Sequence, residues 1–257
     1  MKVPILSDLK SKGETPEYLF WVGCAGSFDD RSKKVTKAFV KILNKANISY
    51  AILGKEESCT GDPAKRAGNE FLFQMKAIAN IEILDSYSIK NIKTTCPHCF
   101  NTIKNEYPEL GGNYNVIHHT TFINNLIKEN RISIGGGFYK GKRITYHDPC
   151  YLGRANGIYE APREVIEKLD AELVEMKSCK SKSLCCGAGG AQMFKEPEKG
   201  NQDINIKRSE EAINTDSEIV AVSCPFCNTM MSDGMTSKEK NINVLDIRSE
   251  EHTSELQ

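Results

Sequence analysis

Cysteines in two matching series constrain this 257-residue chain more than any other feature of its sequence. Cys59 follows Cys24 by 35 positions, and Cys185 follows Cys150 by the same 35 positions. Each series then closes with a Cys-Pro-X-Cys motif, at Cys96-Pro97-His98-Cys99 and at Cys224-Pro225-Phe226-Cys227. Self-similarity at a fixed offset is the signature of a repeated structural unit. The sequence therefore predicts two related halves, offset by about 126 residues.

Short apolar runs come just before most of these cysteines and predict buried strands. They are Tyr18 to Val22, Ile92 to Thr95, Ile144 to Tyr146 and Ile219 to Val222, with further strands near Tyr114 to Ile117 and near Asn243 to Ile247. Helical spacing separates them, at Val35, Ala38, Phe39, Ile42, Leu43 and Ala46, at Phe71, Met75, Ile78 and Ala79, and more weakly within 161–169 and 205–213. Alternating strands and helices predict an α/β fold of two tandem, pseudo-symmetric cysteine-rich domains, each a small, mainly parallel sheet flanked by helices. Because the strands of such a sheet end at one edge, the cysteines are expected to converge there.

A glycine-rich stretch, Gly135 to Gly141, predicts the link between the halves. We therefore expect a first cysteine-rich domain at residues 1–134 and a second at 135–247. The last ten residues, Arg248 to Gln257, match an in-frame translation of a common short-read sequencing adapter. We interpret residues 248–257 as a sequencing scar that is not native.

The overall composition narrows the classes of function. Thirty-four basic residues balance thirty-four acidic ones, with no long run of either sign, which argues against a nucleic-acid-binding protein. No apolar run is long enough for a secretory signal or a membrane span, so we expect a cytoplasmic protein. Ten cysteines in a reducing compartment indicate metal binding or redox chemistry rather than a disulfide framework.

The two halves offer different numbers of sulfur ligands. The first half supplies four cysteines in the repeat, Cys24, Cys59, Cys96 and Cys99. The second half supplies five, Cys150, Cys185, Cys186, Cys224 and Cys227. A single tetrahedral zinc ion uses four ligands, whereas an iron–sulfur cluster presents several metal atoms to neighbouring thiolates. Gly187 directly follows the Cys185-Cys186 pair and lets a backbone N–H approach sulfur closely, so we include it among the cofactor-binding residues.

Two stretches of the second half, Ser183 to Gly190 (SLCCGAGG) and His147 to Arg154 (HDPCYLGR), resemble motifs of the cysteine-rich CCG domain family. That family is typified by the B and D subunits of heterodisulfide reductase and by iron–sulfur subunits of glycolate, lactate and anaerobic glycerol-3-phosphate dehydrogenases. The resemblance runs from about Phe20 to about Ile247. It implies a non-cubane [4Fe–4S] cluster held by the five second-half cysteines, at which a disulfide can be reduced, with Cys185 and Cys186 as the catalytic, cluster-borne pair.

The first half departs from this pattern at Thr60, which stands in Ser58-Cys59-Thr60-Gly61-Asp62 where the second cysteine of the pair belongs. A neutral hydroxyl is a poor iron ligand beside a thiolate. The remaining four cysteines suit a cubane [4Fe–4S] cluster, zinc or no metal, and we favour the cubane because four thiolates are its usual complement.

The resemblance implies an iron–sulfur electron-transfer subunit of an oxidoreductase complex. The expected donors are a flavoprotein dehydrogenase, an electron-transfer flavoprotein or a ferredoxin-like partner, and the expected acceptor is quinone-linked or a thiol/disulfide. A ferredoxin-like or membrane module would be a separate subunit, through which the chain would associate with a membrane. One alternative is a catalytic subunit that reduces a disulfide at the cluster. A third, from another class, is a structural zinc protein that scaffolds partners.

Several other residues receive weaker expectations. Cys179 lies outside the repeat and is interpreted as a loop thiol, while His98 is expected either to donate to a sulfur or to face solvent. A first-half ligand role is weighed for His118 and His119 and set low, and His147 and Asp148 are expected to orient the Cys150 site. Arg154 is expected to neutralise the site or to pair with a surface carboxylate. Solvated helix faces are predicted at Lys65, Arg66, Lys207 and Arg208.

Overall fold

The computed structural model describes residues 3–134, 137, 139–196 and 199–247. The chain divides into two compact units, residues 1–122 and 123–257. The predicted link at Gly135 to Gly141 lies partly outside the described residues, and the predicted sequencing scar at 248–257 lies wholly outside them. Within the described ranges, no helix combines the length and apolar character required to cross a membrane.

The first unit is a four-stranded parallel sheet in the order β2-β1-β3-β4. Its elements in chain order are α1 (Leu6–Ser11), β1 (Tyr18–Trp21), α2 (Gly23–Phe28), α3 (Asp30–Lys45), β2 (Tyr50–Ala51), α4 (Asp62–Arg66), α5 (Glu70–Ser86), β3 (Asn91–Thr94), α6 (Pro97–Asn101) and β4 (Asn115–His118), after which α7 (His119–Lys128) begins. A π-helical turn, Thr102–Glu106, and a 3-10 turn, Tyr107–Leu110, continue α6.

The second unit repeats this sheet, in the order β6-β5-β7-β8 and again fully parallel. Its elements are β5 (Arg143–Tyr146), α8 (Glu160–Glu167), β6 (Glu172–Leu173), α9 (Ile204–Ile213), β7 (Ile219–Val222), α10 (Pro225–Ser237) and β8 (Asn243–Asp246). Both sheets place their strands in the same sequence-relative order. The predicted α/β fold of two pseudo-symmetric, mainly parallel sheets flanked by helices is therefore confirmed.

The central strands are continuous apolar runs because helices cover both faces of a parallel sheet. All four residues of β7 are buried, as are the last three of β1 and of β5. Helix α3 buries the predicted face, including Phe39, Ile42 and Leu43, against the first sheet. The two-residue strands β2 and β6 were not predicted, because a pair of residues carries too little pattern to be recognised.

The predicted buried face of α5 was wrong. Phe71 is 76% exposed and Met75 is 53% exposed, whereas Phe73, Ala77 and Leu84 form the buried face. Apolar residues occur all round this helix, so their spacing does not distinguish the side that packs inward. Tertiary packing decides the orientation of such a helix.

Candidate metal centre

The Cys-Pro-X-Cys motifs of both units stand where a central strand ends and a helix begins. Cys96 is the N-cap of α6 after β3, and Cys224 is the N-cap of α10 after β7. The proline that follows each cysteine suits the first helical position, since its fixed φ matches a helix and its missing N–H has no intrahelical partner there. Cys99 and Cys227 then fall in the first turn. Each motif therefore brings two sulfurs to the carboxyl edge of its sheet.

Five thiols of the second unit form one continuous chain of side-chain hydrogen bonds. Its order is Cys150, Cys185, Cys186, Cys227 and Cys224. Cys186, Cys224 and Cys227 are buried, while Cys150 and Cys185 are half-buried. Residues that are up to 77 positions apart in sequence thus meet at one place. Within the second unit, Cys179 lies outside this chain of thiols and is half-buried in a loop.

Cys185 is the thiol of this chain that ionises most readily. Hydrogen bonds from Cys150 and Cys186 lower its pKa, and the backbone N–H of Gly187 donates to its Sγ at 3.3 Å. Donation to Cys185 in turn raises the pKa of Cys186 to about 12. Gly187 adopts a φ of +94°, and a Cβ there would lie 3.4 Å from both Ile204 Cβ and Met230 Cε. Only glycine fits this position without strain, and the turn it makes presents an N–H to sulfur.

The first unit repeats this arrangement with one sulfur fewer. Cys24 hydrogen-bonds to Cys59, and this contact lowers the pKa of Cys59 to about 6. Cys96 hydrogen-bonds to Cys99, and the charges of the two pairs act on each other. Gly61 N–H donates to Cys59 Sγ at 3.5 Å from a φ of +89°. The Cys-Thr-Gly loop therefore keeps the backbone form of the Cys-Cys-Gly loop.

Thr60 occupies the position of the absent fifth thiol and is buried. Its carbonyl oxygen accepts a hydrogen bond from Tyr107 Oη at 3.1 Å, and Asn80 Nδ2 donates to the neighbouring Cys59 carbonyl at 3.0 Å. These bonds hold the loop through its backbone. The residue at this position can therefore change without removing the contacts that shape the loop.

A buried histidine and a buried arginine flank the second-unit thiols. A ring nitrogen of His147 and the Sγ atoms of Cys186 and Cys227 lie within 4.8 Å of one another. Arg208 Nε donates to His147 Nδ1 at 3.0 Å, and burial together with the arginine charge lowers the pKa of His147 to about 3. The imidazole is therefore neutral. Because Nδ1 is an acceptor, its proton resides on Nε2.

The loop that carries Cys150 is fixed by a second buried arginine. Arg163 forms a bidentate pair with Asp148, at 2.8 Å to Oδ1 and 2.9 Å to Oδ2, and also contacts Glu175. Asp148 in addition accepts from the backbone N–H of Lys180 at 2.8 Å. A bidentate arginine–carboxylate pair fixes orientation as well as distance. Asp148 thus ties the start of the Cys150 loop to α8 and to the segment that leads into Cys185.

Comparison with known proteins agrees with the repeat and its cysteines. The family model described as the CCG cysteine-rich domain matches residues 18–104 and, a second time, residues 144–232. The chain belongs to the CCG cysteine-rich domain family. This confirms the resemblance noted in the motifs at 147–154 and 183–190.

Curated relatives of this CCG chain are longer proteins. It is 42% identical over 239 residues to the probable iron-sulfur-binding oxidoreductase FadF of Bacillus subtilis, which covers 93% of this chain and 34% of the relative. It is 41% identical to the EtfAB:quinone oxidoreductase of Syntrophomonas wolfei, over 90% of this chain and 33% of the relative. One component of the dihydromethanophenazine:CoB–CoM heterodisulfide reductase of Methanosarcina barkeri is 33% identical, over 90% and 57% respectively. The chain thus spans between one third and just over half of these relatives.

Two further expectations for this CCG chain are corrected by the structure. Arg208 was predicted on a solvated helix face, yet it is fully buried and contacts His147, Ser178, Ser183 and Glu211. His98 was expected at a sulfur or in solvent, yet it is buried with its Nδ1 2.8 Å from Asp62 Oδ2. Sequence spacing gives no signal for either contact, because the partners lie 61 and 36 positions away.

The remaining predicted polar residues lie at the edge of the site or away from it. Arg154 Nη2 donates to the Ser183 carbonyl at 2.5 Å. His118 and His119 are buried side by side, with ring centroids 4.1 Å apart, and His118 Nδ1 lies 2.8 Å from Thr120 Oγ1. Among the described residues, the cluster of three potential metal ligands is formed by His147, Cys186 and Cys227 and includes neither of these histidines.

Proposed function

We propose that the second unit holds a non-cubane [4Fe–4S] cluster through Cys150, Cys185, Cys186, Cys224 and Cys227, and that the chain is the electron-transfer part of an oxidoreductase. The observation that carries this proposal is the unbroken chain of five thiol contacts. Relatives named as an iron-sulfur-binding oxidoreductase and as a quinone oxidoreductase support it. When bound, such a cluster supplies reversible one-electron transfer.

Two observations favour a cluster over zinc in the second unit. Five thiols exceed the four ligands of a tetrahedral zinc site. A zinc-bound histidine also normally donates its other ring N–H to an acceptor, whereas His147 Nδ1 faces the donor Nε of Arg208. This orientation leaves His147 with a single donor, Nε2–H, beside the Cys186 and Cys227 sulfurs. Its role is to hydrogen-bond to thiolate or sulfide rather than to ligate a metal.

For the first unit, the proposal is a cubane [4Fe–4S] cluster at Cys24, Cys59, Cys96 and Cys99. The two thiol pairs and the low pKa of Cys59, about 6, support a site that readily forms thiolates. Gly61 N–H offers a hydrogen bond to sulfur here, as Gly187 N–H does in the second unit. The four-sulfur complement matches the usual ligation of a cubane cluster.

The proposed complex joins this chain to a flavoprotein donor, an electron-transfer flavoprotein or a flavoprotein dehydrogenase, and to a quinone-linked acceptor. The name of the S. wolfei relative, EtfAB:quinone oxidoreductase, supports that pairing. Because the chain spans about one third of that relative, the proposed ferredoxin-like or membrane component lies outside the residues described. Association with a membrane would then pass through that component.

A second candidate function is reduction of a disulfide at the second-unit site. The specific observation in its favour is a cavity of about 430 Å³ whose lining includes Gly187, Asn205 and Met230. Cys150 and Cys185, both half-buried, are the second-unit ligands that a substrate sulfur can approach. The heterodisulfide reductase named among the relatives supports this alternative.

Anaerobic metal and acid-labile sulfide analysis, combined with electron paramagnetic resonance, tests the proposal. We expect iron and sulfide in near-equal amounts and two distinguishable cluster signals. Cys185→Ser should remove the second-unit signal and spare the first, and Cys179→Ser is the matched control that should change neither. Zinc without iron or sulfide in the protein would overturn the cluster proposal and support the zinc scaffold.

A further inference from the structure

A cavity of about 570 Å³ opens in the first unit beside Cys24 and Cys59. Of the four first-unit cysteines, these two belong to its wall, whereas Cys96 and Cys99 do not. The cavity therefore lies outside the four-cysteine site, on its half-buried side. Its volume falls in the range of small-molecule binding sites, roughly 300–1,000 Å³.

Apolar side chains from separate elements form most of the cavity wall. They are Val3 from the N-terminal segment, Phe20 from β1, Val22, Val40 from α3 and Ile52 after β2. Phe28, at the end of α2, also lines the cavity and is 81% exposed. An exposed phenylalanine at the mouth of an apolar cavity offers a face on which a flat ring stacks. The shape and chemistry of the wall therefore suit an apolar ring.

The polar groups of the cavity specify what such a ring must carry. The Glu57 carboxylate lines the wall, but it already accepts from the backbone N–H groups of Val22 at 3.0 Å and Gly23 at 2.6 Å. These bonds hold the Cys24 loop against the segment that leads to Cys59. Two exposed lysines, Lys37 and Lys55, complete the lining. Ammonium groups donate only, so the ligand they recognise carries oxygen acceptors on its ring.

We propose that this cavity binds a quinone, with its ring between Phe28 and the apolar wall and its carbonyl oxygens toward Lys37 and Lys55. This deepens, and rests on, the proposed electron-transfer role, because it places an acceptor directly against Cys24 and Cys59. The second unit has a different residue at the position of Phe28 in the cysteine repeat, Arg154, which bonds to the Ser183 carbonyl. The quinone site is therefore a property of the first unit.

Equilibrium dialysis of the intact, anaerobically purified chain with duroquinone tests the proposal. Duroquinone is fully substituted, so thiols cannot add to its ring. Phe28→Ala should weaken binding about five- to tenfold, because it removes the stacking face. Ser27→Trp, at an exposed position of the lining, should abolish binding by filling the mouth. Phe71→Ala is the matched control, since it removes another phenylalanine, 76% exposed on α5 and remote from the lining, and should leave binding unchanged.

A second ligand checks the role of the lysines. Durene has the same tetramethylated ring without carbonyl oxygens, and the double variant Lys37→Gln, Lys55→Gln should weaken duroquinone binding severalfold while leaving durene binding unchanged. Equal duroquinone binding by the wild type, Phe28→Ala and Ser27→Trp would overturn the proposal. An equal loss in Phe71→Ala would also overturn it, by showing adsorption to the apolar face of α5. Dialysis requires no electron transfer, so a failure of the cluster proposal shows in the iron and sulfide analysis independently.

Discussion

The two units keep the same backbone and differ in the side chains that meet the thiols. Their sheets have the same strand order, and Gly61 and Gly187 adopt left-handed conformations with φ of +89° and +94°. In each unit the cysteine two positions before that glycine has the lowered pKa. The difference lies at Thr60 and Cys186. The fold therefore maintains the loop, and one side chain sets how many sulfurs the site offers.

A second difference lies three positions before the first cysteine of each unit. The second unit has His147 there, held by Arg208 and close to Cys186 and Cys227. The first unit has Trp21, which is fully buried and whose Nε1 has no hydrogen-bond partner among the described residues. Each unit thus buries one ring N–H at this position. The second unit alone adds an arginine, Arg208, that fixes which ring nitrogen carries the proton.

The largest expected effect comes from making the second unit resemble the first. Cys186→Thr reproduces the first-unit residue and breaks the five-thiol chain in its middle. We expect loss of the second-unit five-thiolate signal in electron paramagnetic resonance and a lower iron content, with the first-unit signal retained. An unchanged second-unit signal would show that Cys186 is not a ligand.

The reverse substitution tests the same difference from the other side. Thr60→Cys supplies a fifth thiol to a loop that already has the backbone form of the Cys-Cys-Gly loop. The backbone bonds to Tyr107 and Asn80 do not depend on the Thr60 side chain, so the fold should tolerate the change. We expect the first-unit signal to change toward that of the second unit. Thr60→Val is the control, because it is similar in size and adds no sulfur.

Arg208→Met should destabilise the second unit by about 3 kcal/mol. It removes the donor to His147 Nδ1 and leaves Ser178, Ser183 and Glu211 without their buried partner. Release of the fixed imidazole should also alter the second-unit spectrum, which a purely structural residue would not do. Urea unfolding and electron paramagnetic resonance measure the two effects. The neighbouring, exposed Lys207→Gln should change stability by less than about 0.5 kcal/mol.

Arg208 also shows where sequence reasoning reaches its limit. The strands and the convergence of the cysteines were predictable, because apolar runs and repeat spacing are local patterns that the fold preserves. The burial of Arg208 depends on His147, 61 positions away, and its own helix reads as polar. The face of α5 was mispredicted for a related reason, since apolar residues surround that helix. Pattern predicts the elements, whereas individual buried polar contacts require the tertiary structure.

The smallest expected effect concerns Lys93, which is 2% exposed in β3 where the equivalent position of β7 holds Ala221. Burial lowers the pKa of Lys93 to about 8, against a partial opposing effect of Glu17, while its ammonium lies 4.1 Å from the Tyr18 ring centroid. The unfolded chain keeps this lysine protonated up to about pH 10.4, so the folded state of the wild type gains stability between pH 8 and that value. Lys93→Met lacks this dependence and should exceed the wild type in stability by about 1 kcal/mol at pH 7, the cation–π contact offsetting part of the burial cost. The difference in urea midpoint between the two proteins should therefore shrink as the pH rises from 8 to 10, and a constant difference would show that Lys93 titrates normally.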